Sequence, residues 1–223
     1  MTHPTVMQRT REPAPSGSHP PGGVEISADT TAKLDRYLDL LAKWNRTYNL
    51  TAIRERSRML THHVHDALAV LPYLPQTASL RLLDVGTGGG VPGIPLAIAR
   101  PQWRIVLLDA NHKKVAFLTQ AAIELRLSNV QPVASRVEDY VCDAPFDIVI
   151  SRAFSDLRSF AQLSSRLVAP GGQLVAMKGA LPQGEIDALP PDITVVATPS
   201  LRVPGLDAER HLVVMQPGAA SSQ

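Results

Sequence analysis

Apolar positions follow two different periods along the chain. From Asp29 to Thr47, Leu34, Tyr37, Leu38, Leu41 and Trp44 recur at helical spacing, which predicts a helix with one buried stripe. Asp29 or Thr30 stands where its N-cap belongs. A second helix is predicted over Ser57 to Leu71, with Met59, Leu60, Val64, Ala67, Leu68 and Leu71 as its buried side and Pro72 and Pro75 closing it. From Arg81 onward, short apolar runs alternate with amphipathic stretches. The runs predict strands over Leu82–Gly86, Ile105–Ala110, Val130–Ala134, Asp147–Ser151, Gln173–Lys178, Thr194–Thr198 and His211–Gln216. Between them, helices are predicted over Pro92–Ala99, Lys113–Leu127, Leu157–Val168 and, shorter, Gly184–Leu189. Such alternation implies an α/β fold with a mostly parallel seven-stranded sheet and helices on both faces. The last two strands are joined without a helix, so the final strand is expected to run antiparallel.

Three regions follow from the same pattern. Residues 1–25 are rich in Pro, Ser, Gly and Thr and read as a disordered tail, in which Arg9 and Arg11 are candidate RNA contacts. Residues 26–78 form a small helical unit, and residues 79–217 form the α/β core. Composition narrows the setting. A chain of 223 residues fits one domain with an appendage. A net charge of +2 is compatible with a nucleic-acid partner without requiring one. No apolar run is long enough to span a membrane, and the polar N-terminus does not read as a signal peptide. The single Cys142 cannot form an internal disulfide, which suits a reducing cytoplasm. Aromatic residues make up 4%, so any platform for stacking single-stranded RNA is small.

The candidate chemistry centres on Asp84-Val-Gly-Thr-Gly-Gly-Gly-Val-Pro-Gly93. A buried strand runs here into a glycine loop and then a helix N-terminus, an arrangement that cradles nucleotides. Gly88-x-Gly90-x-x-Gly93 fits the dinucleotide fingerprint, a weak match when alone. The register from the strand end, Asp84-x-Gly86-x-Gly88-x-Gly90, instead resembles the first motif of class I methyltransferases, which bind S-adenosylmethionine. Asp109 ends the next strand about twenty residues later, where an acid holds ribose hydroxyls or caps the following helix. Val137 and Glu138 follow the third strand and are placed to meet an adenine ring and its polar edge, or to start a helix.

Arg152 ends the fourth strand in Ile-Ser-Arg-Ala-Phe154 and Lys178 ends the fifth in Met-Lys-Gly179. Arg152 can hold a carboxylate, phosphate or base, or form a surface ion pair. Two absences constrain the reaction. No Asn/Asp-Pro-Pro-Tyr/Phe stretch follows the fourth strand, as exocyclic-amine methylation in this fold would favour. Cys142 precedes that strand, on the wrong side for a nucleophile. Transfer to an atom that is already nucleophilic remains. His62, His63, His65 and Asp66 form the one histidine cluster; a hydrogen-bonded His–Asp pair is expected there rather than a metal site.

Taken together, Trp44-Asn-Arg-Thr-Tyr-Asn-Leu-Thr51, His63-Val-His-Asp66, the glycine loop through Leu96, Ser135-Arg-Val-Glu138, Ile150-Ser-Arg-Ala-Phe154, Met177-Lys-Gly179 and Glu209-Arg-His-Leu-Val-Val214 resemble one family. It is the bacterial 16S ribosomal RNA guanine-N7 methyltransferase family, also called glucose-inhibited division protein B. The likeness covers nearly the whole chain after the tail. It implies a Rossmann-like class I methyltransferase fold and methyl transfer from S-adenosylmethionine, giving S-adenosylhomocysteine, to N7 of one guanine in 16S ribosomal RNA of the small subunit. Cofactor contact is carried onto Gly86, Val91, Val137, Glu138 and Arg152; the glycine register adds Gly88 and Gly90, and the general methyltransferase pattern adds Asp109. Arg152, Lys178, His63 and Asp66 are candidates for positioning the substrate, and Arg54, Arg56, Arg58 and Lys178 for contacting RNA phosphates. Val91 departs from the commoner Leu or Phe and leaves more room beside the cofactor. A cytoplasmic monomer without metal is expected. The competing readings are a nicotinamide oxidoreductase, for which no hydride-handling pair is well placed, and a non-catalytic RNA-binding protein on the same fold.

Overall fold

The computed structural model describes residues 27–152 and 154–218. The tail expected over residues 1–25, with Arg9 and Arg11, lies outside them. Strands β1 (Arg81–Val85), β2 (Arg104–Asp109), β3 (Val130–Ala134), β4 (Phe146–Ser151), β5 (Val168–Lys178), β6 (Ile193–Ala197) and β7 (His211–Pro217) build one sheet in the order β3-β2-β1-β4-β5-β7-β6. The pairings from β3 through β5 are parallel. Only β7 runs against its neighbours β5 and β6, as the missing helix before it predicts. The chain leaves β1 toward β2 and β3, then returns to β4 on the other side of β1. That reversal opens a crevice beyond the carboxyl ends of β1 and β4.

The central strands carry consecutive apolar residues, Leu82 and Leu83 in β1, Ile105 to Leu108 in β2 and Ile148 to Ile150 in β4, because both their faces are covered. Leu82, Leu107, Ile148, Ile150 and Val175 face one cluster. Leu83, Val106, Leu108, Val149 and Leu174 face the other, as a period of two requires. The first cluster takes in α1 (Ala28–Tyr48), α4 (Gly93–Ala99) and α5 (His112–Glu124), and the second takes in α6 (Leu157–Ser164). Leu34, Tyr37, Leu38 and Leu41 of α1 therefore share a core with Leu82, Ile94 and Leu118. The cap of α1 is Ser27, just before the expected Asp29 or Thr30, and its hydroxyl accepts from Thr30 N at 3.1 Å.

The second predicted helix is not uniform. Between α2 (Arg56–Met59) and α3 (Asp66–Leu68) the residues Leu60–His65 form a π-helical turn. Pro72 then falls inside a 3₁₀ turn, Leu71–Tyr73. Each i→i+5 step carries one residue more than an α-turn, so side chains beyond it are rotated away from the face that a 3.6 period assigns. The strand β5 begins five residues before the predicted Gln173, its register against β4 shifting between Phe146 and Ile148.

Candidate functional site

The glycine loop after β1 hangs between two carboxylates. Asp84, fully buried at the end of β1, accepts from Thr87 Oγ1 at 2.6 Å and from Gly93 N at 2.8 Å. Asp109, at the end of β2, accepts from Gly88 N and from Asn111 N, both at 2.9 Å, with Lys114 Nζ 3.6 Å away. Asn111, not Asp109, caps α5, its side chain accepting from Lys113 N. From α1 the Tyr37 hydroxyl donates to Gly89 O at 2.7 Å. The loop is thus fixed from three elements, and a preformed loop binds a ligand without the cost of ordering it.

The glycines do different jobs. Gly86, at φ 68°, lies in the left-handed region where a side chain is strained, and it lines the crevice. Gly88 lines it too. A Cβ on Gly90 would come within 2.6 Å of Ile94 Cδ1 and 3.0 Å of Leu118 Cδ2, and one on Gly93 within 2.8 Å of Asp84 Oδ2. At Gly90, expected among the cofactor contacts, the space of the missing Cβ is taken by Ile94 and Leu118, which lets the loop pack on α4 and α5.

Three clefts adjoin at the strand ends. The first, of about 280 Å³, has an apolar floor of Leu108, Val137, Phe154 and Leu163, with Asp109 and Glu138 on its rim. Arg166 holds its far wall by donating to the carbonyls of Val137 and Tyr140 at 2.6 and 2.9 Å. The second, of about 300 Å³, lies between Leu41, Leu50, Gly88 and Val91 and shares Gly86 with the first. The third, of about 430 Å³, shares Thr51, His63 and Arg152 with the second and adds Asp66, Lys178 and Arg210. The first two suit one elongated ligand: a flat apolar end with a polar edge, a narrow waist at Gly86, and a polar end. Gly86, Gly88, Val91, Asp109, Val137, Glu138 and Arg152 all line this path.

The rest of the expected site is rearranged. His63 does not pair with Asp66. Its Nε2 bonds Thr51 Oγ1 at 3.0 Å, while Asp66 receives Arg210 Nε at 3.1 Å and Arg152 Nη1 at 3.4 Å. The π-helical turn, which includes His63 and ends just before Asp66, displaces the i,i+3 pairing that an α-helix would give. Burial, and then the Arg152 charge, lowers the His63 pKa to about 4. Burial raises that of Asp84 to about 6, against the hydrogen bonds from Thr87 and Gly93 that lower it. Burial likewise pushes the Tyr37 hydroxyl up. Lys178 is held by Glu185 at 2.8 Å. Arg56 is held by Asp35 and Asp39 at 3.0 and 2.6 Å, so of the three arginines expected to meet RNA only Arg54 and Arg58 have no such partner among the described residues. No group of three metal-ligating side chains occurs among the described residues, and none of their helices is long and apolar enough to cross a membrane.

The sequence does not single out Tyr37, Leu41, Thr51 and Arg210 as parts of this site. Tyr37 and Leu41 look like ordinary core positions on an amphipathic helix. Arg210 is 144 positions from Asp66, and its only signal is its place in the Glu209-Arg-His motif.

Residues 30–213 match the family described as rRNA small subunit methyltransferase G. Ribosomal RNA small subunit methyltransferase G of Laribacter hongkongensis is 54% identical over 191 residues, 86% of this chain and 91% of that protein. The protein of the same name from Azoarcus sp. is 53% identical over 196 residues, 88% and 92% of the two chains. Among solved structures, TrmN from Thermus thermophilus superposes with a TM-score of 0.53 at 18% identity, over 68% of this chain and 48% of that one. This chain thus spans about half the length of TrmN. Precorrin-6y C5,15-methyltransferase from Geobacter metallireducens gives 0.50 at 15% identity, over 69% and 87%. These two likenesses are of fold, the class I methyltransferase sheet. With the family match spanning both the helical unit and the sheet, and relatives sharing half their residues over almost their whole length, this chain belongs to the rRNA small subunit methyltransferase G family.

Proposed function

We propose that this chain transfers a methyl group from S-adenosylmethionine to N7 of one guanine in 16S ribosomal RNA of the small subunit, acting as a cytoplasmic monomer. The observation that carries the reading is the family match over residues 30–213. The joined clefts fit it. The first, floored by Leu108 and Val137 with Glu138 at its edge, takes the adenine. Asp109 on the rim meets the ribose, and the second cleft from Gly86 to Val91 takes the methionine portion, with Arg152 beyond it. Bound there, the donor supplies a methyl group on a positively charged sulfur.

Guanine N7 carries an unshared pair in the ring plane, so the chain has no proton to remove before attack. Its residues act by holding donor and acceptor in line and excluding water. Leu41, Leu50 and Val91 give the donor cleft an apolar wall. His63 is neutral near pH 7, its pKa lying at about 4, and its Nε2 is engaged with Thr51, which suits a wall and not a base. Leu41, Leu50, Thr51 and His63 thereby supply one side of the site, and Gly86 to Val91 with Arg152 the other. The test is mass analysis of 16S ribosomal RNA from cells without the gene. One guanine-containing fragment should lose a single methyl mass and regain it on complementation. An unchanged fragment map overturns the reading.

A further inference from the structure

We propose that the third cleft, around Asp66, holds a backbone phosphate of the RNA at the acceptor guanine, with Arg210 as its main ligand and Arg152 beside it. The inference rests on the reading that the substrate is RNA. Asp66 is 2% exposed and receives two guanidinium groups, Arg152 from just past the end of β4 and Arg210 from just before β7. Each is held by part of its fork. Arg152 Nη1 donates to His62 O at 2.8 Å as well as to Asp66, and Arg210 Nη1 donates to Glu209 O at 2.8 Å. Among the described residues, Nε and Nη2 of Arg152 and Nη2 of Arg210 make no hydrogen bond. Both side chains are only partly buried, 33% and 24% exposed, and both line the cleft.

The charges on this cleft do not cancel. Two guanidinium groups stand against the one carboxylate of Asp66. Lys178 is neutralised by Glu185 at 2.8 Å. His63 is uncharged near neutral pH, and His62 is hydrogen-bonded to Arg58 O. What remains is a half-buried positive site with free planar donors, which is the chemistry of phosphate recognition. Asp66 supplies the rigidity: a buried acid fixing two guanidinium groups presents their free edges in one place. Thr51, His63 and Arg152 also line the donor cleft. A nucleotide anchored here therefore lies against the donor.

The test uses the full chain and small subunits purified from cells lacking the gene. Arg210→Gln should lower the slope of log affinity against log salt by about 0.7–0.9, the value for one phosphate left unneutralised. KM for subunits should rise about tenfold, as expected for a charge-assisted bond, while the affinity for S-adenosylmethionine in calorimetry stays unchanged. Arg210→Lys should restore the salt slope but not KM, because a point charge lacks the fork. If Arg210→Gln does not fold, the Lys variant decides on KM alone. Unchanged KM in both variants overturns the proposal, and so does donor affinity falling in step with subunit affinity, which would assign the arginine to the cofactor. Wild-type protein that methylates no subunit would defeat the functional reading instead, whatever the variants do.

Discussion

Asp109 has a role in the protein before any ligand arrives. It accepts from Gly88 N and Asn111 N, so its replacement removes a loop anchor together with the proposed ribose partner. Asp109→Ala should weaken donor binding by about tenfold or more, on the scale of a charge-assisted bond, and also lower the melting temperature. Asp109→Asn keeps one acceptor and should recover much of the stability but little of the affinity. Calorimetry beside thermal denaturation separates the two. His63 and Asp84 make a second case, with opposite signs. The His63 pKa is lowered from 6.5 to about 4, so the unfolded chain binds the extra proton between those values. Its contribution is full above pH 6.5 and is lost as pH falls toward 4. That of Asp84 is raised from 3.8 to about 6, so the folded chain keeps the proton longer and stability falls as pH rises through that window. The two trends oppose each other in the wild type. Asp84→Asn should steepen the loss of stability below about pH 6.5, and His63→Gln should flatten it, both read from urea midpoints at fixed pH. If both variants shift those midpoints equally at every pH, the two groups do not titrate as the buried site requires.

At the scale of elements, α1 belongs to the site as much as to the core. Its Tyr37 is fully buried and ends on Gly89 O. Tyr37→Phe keeps the packing and leaves that carbonyl unpaired, which should cost about 1–3 kcal/mol and loosen the glycine loop. Donor affinity should fall with it. A stability loss without any loss of affinity would mean that the loop holds its shape without α1. None of this is legible from periodicity, which marks Tyr37 as one more apolar position. What periodicity does fix is element type: all seven predicted strands and the helices between them form, with ends moved by a few residues, because strands buried on both faces and helices buried on one leave distinct patterns. It fails where a local geometry overrides the period. The π-helical turn Leu60–His65 carries no sequence mark, so the expected His–Asp pair gives way to a bond between His63 and Thr51 and a double ion pair on Asp66. Gly90 marks another limit: a motif records that a glycine is needed, not that Ile94 occupies the space of its missing Cβ.

At the scale of the molecule, the strand order and the distribution of charge decide how a large, polyanionic substrate meets a small crevice. The reversal between β1 and β4 puts all three clefts on one edge of the sheet. The net charge is only +2, so attraction to RNA must come from where cations are left unpaired, not from their number. Many are paired: Arg36 with Glu124, Arg56 with Asp35 and Asp39, Arg81 with Asp143, and Lys178 with Glu185. Arg54 and Arg58 are exposed, without an ion-pair partner among the described residues, and flank the start of α2, close in sequence to Thr51, Ala52 and Ile53 on the wall of the third cleft. Replacing both with Ala should reduce the salt slope of subunit binding by roughly 0.7–0.9 for each phosphate left unneutralised, with donor affinity unchanged. Arg56→Ala should behave differently. It breaks the tie between α2 and α1, leaves Asp35 and Asp39 without their cation, and should lower stability by no more than about 1 kcal/mol, as exposed ion pairs do, while the salt slope stays at the wild-type value. A slope that falls as much for Arg56→Ala as for the double variant would mean that its ion pairs open on RNA binding, and that pairing in the free protein does not select the residues that touch the phosphates.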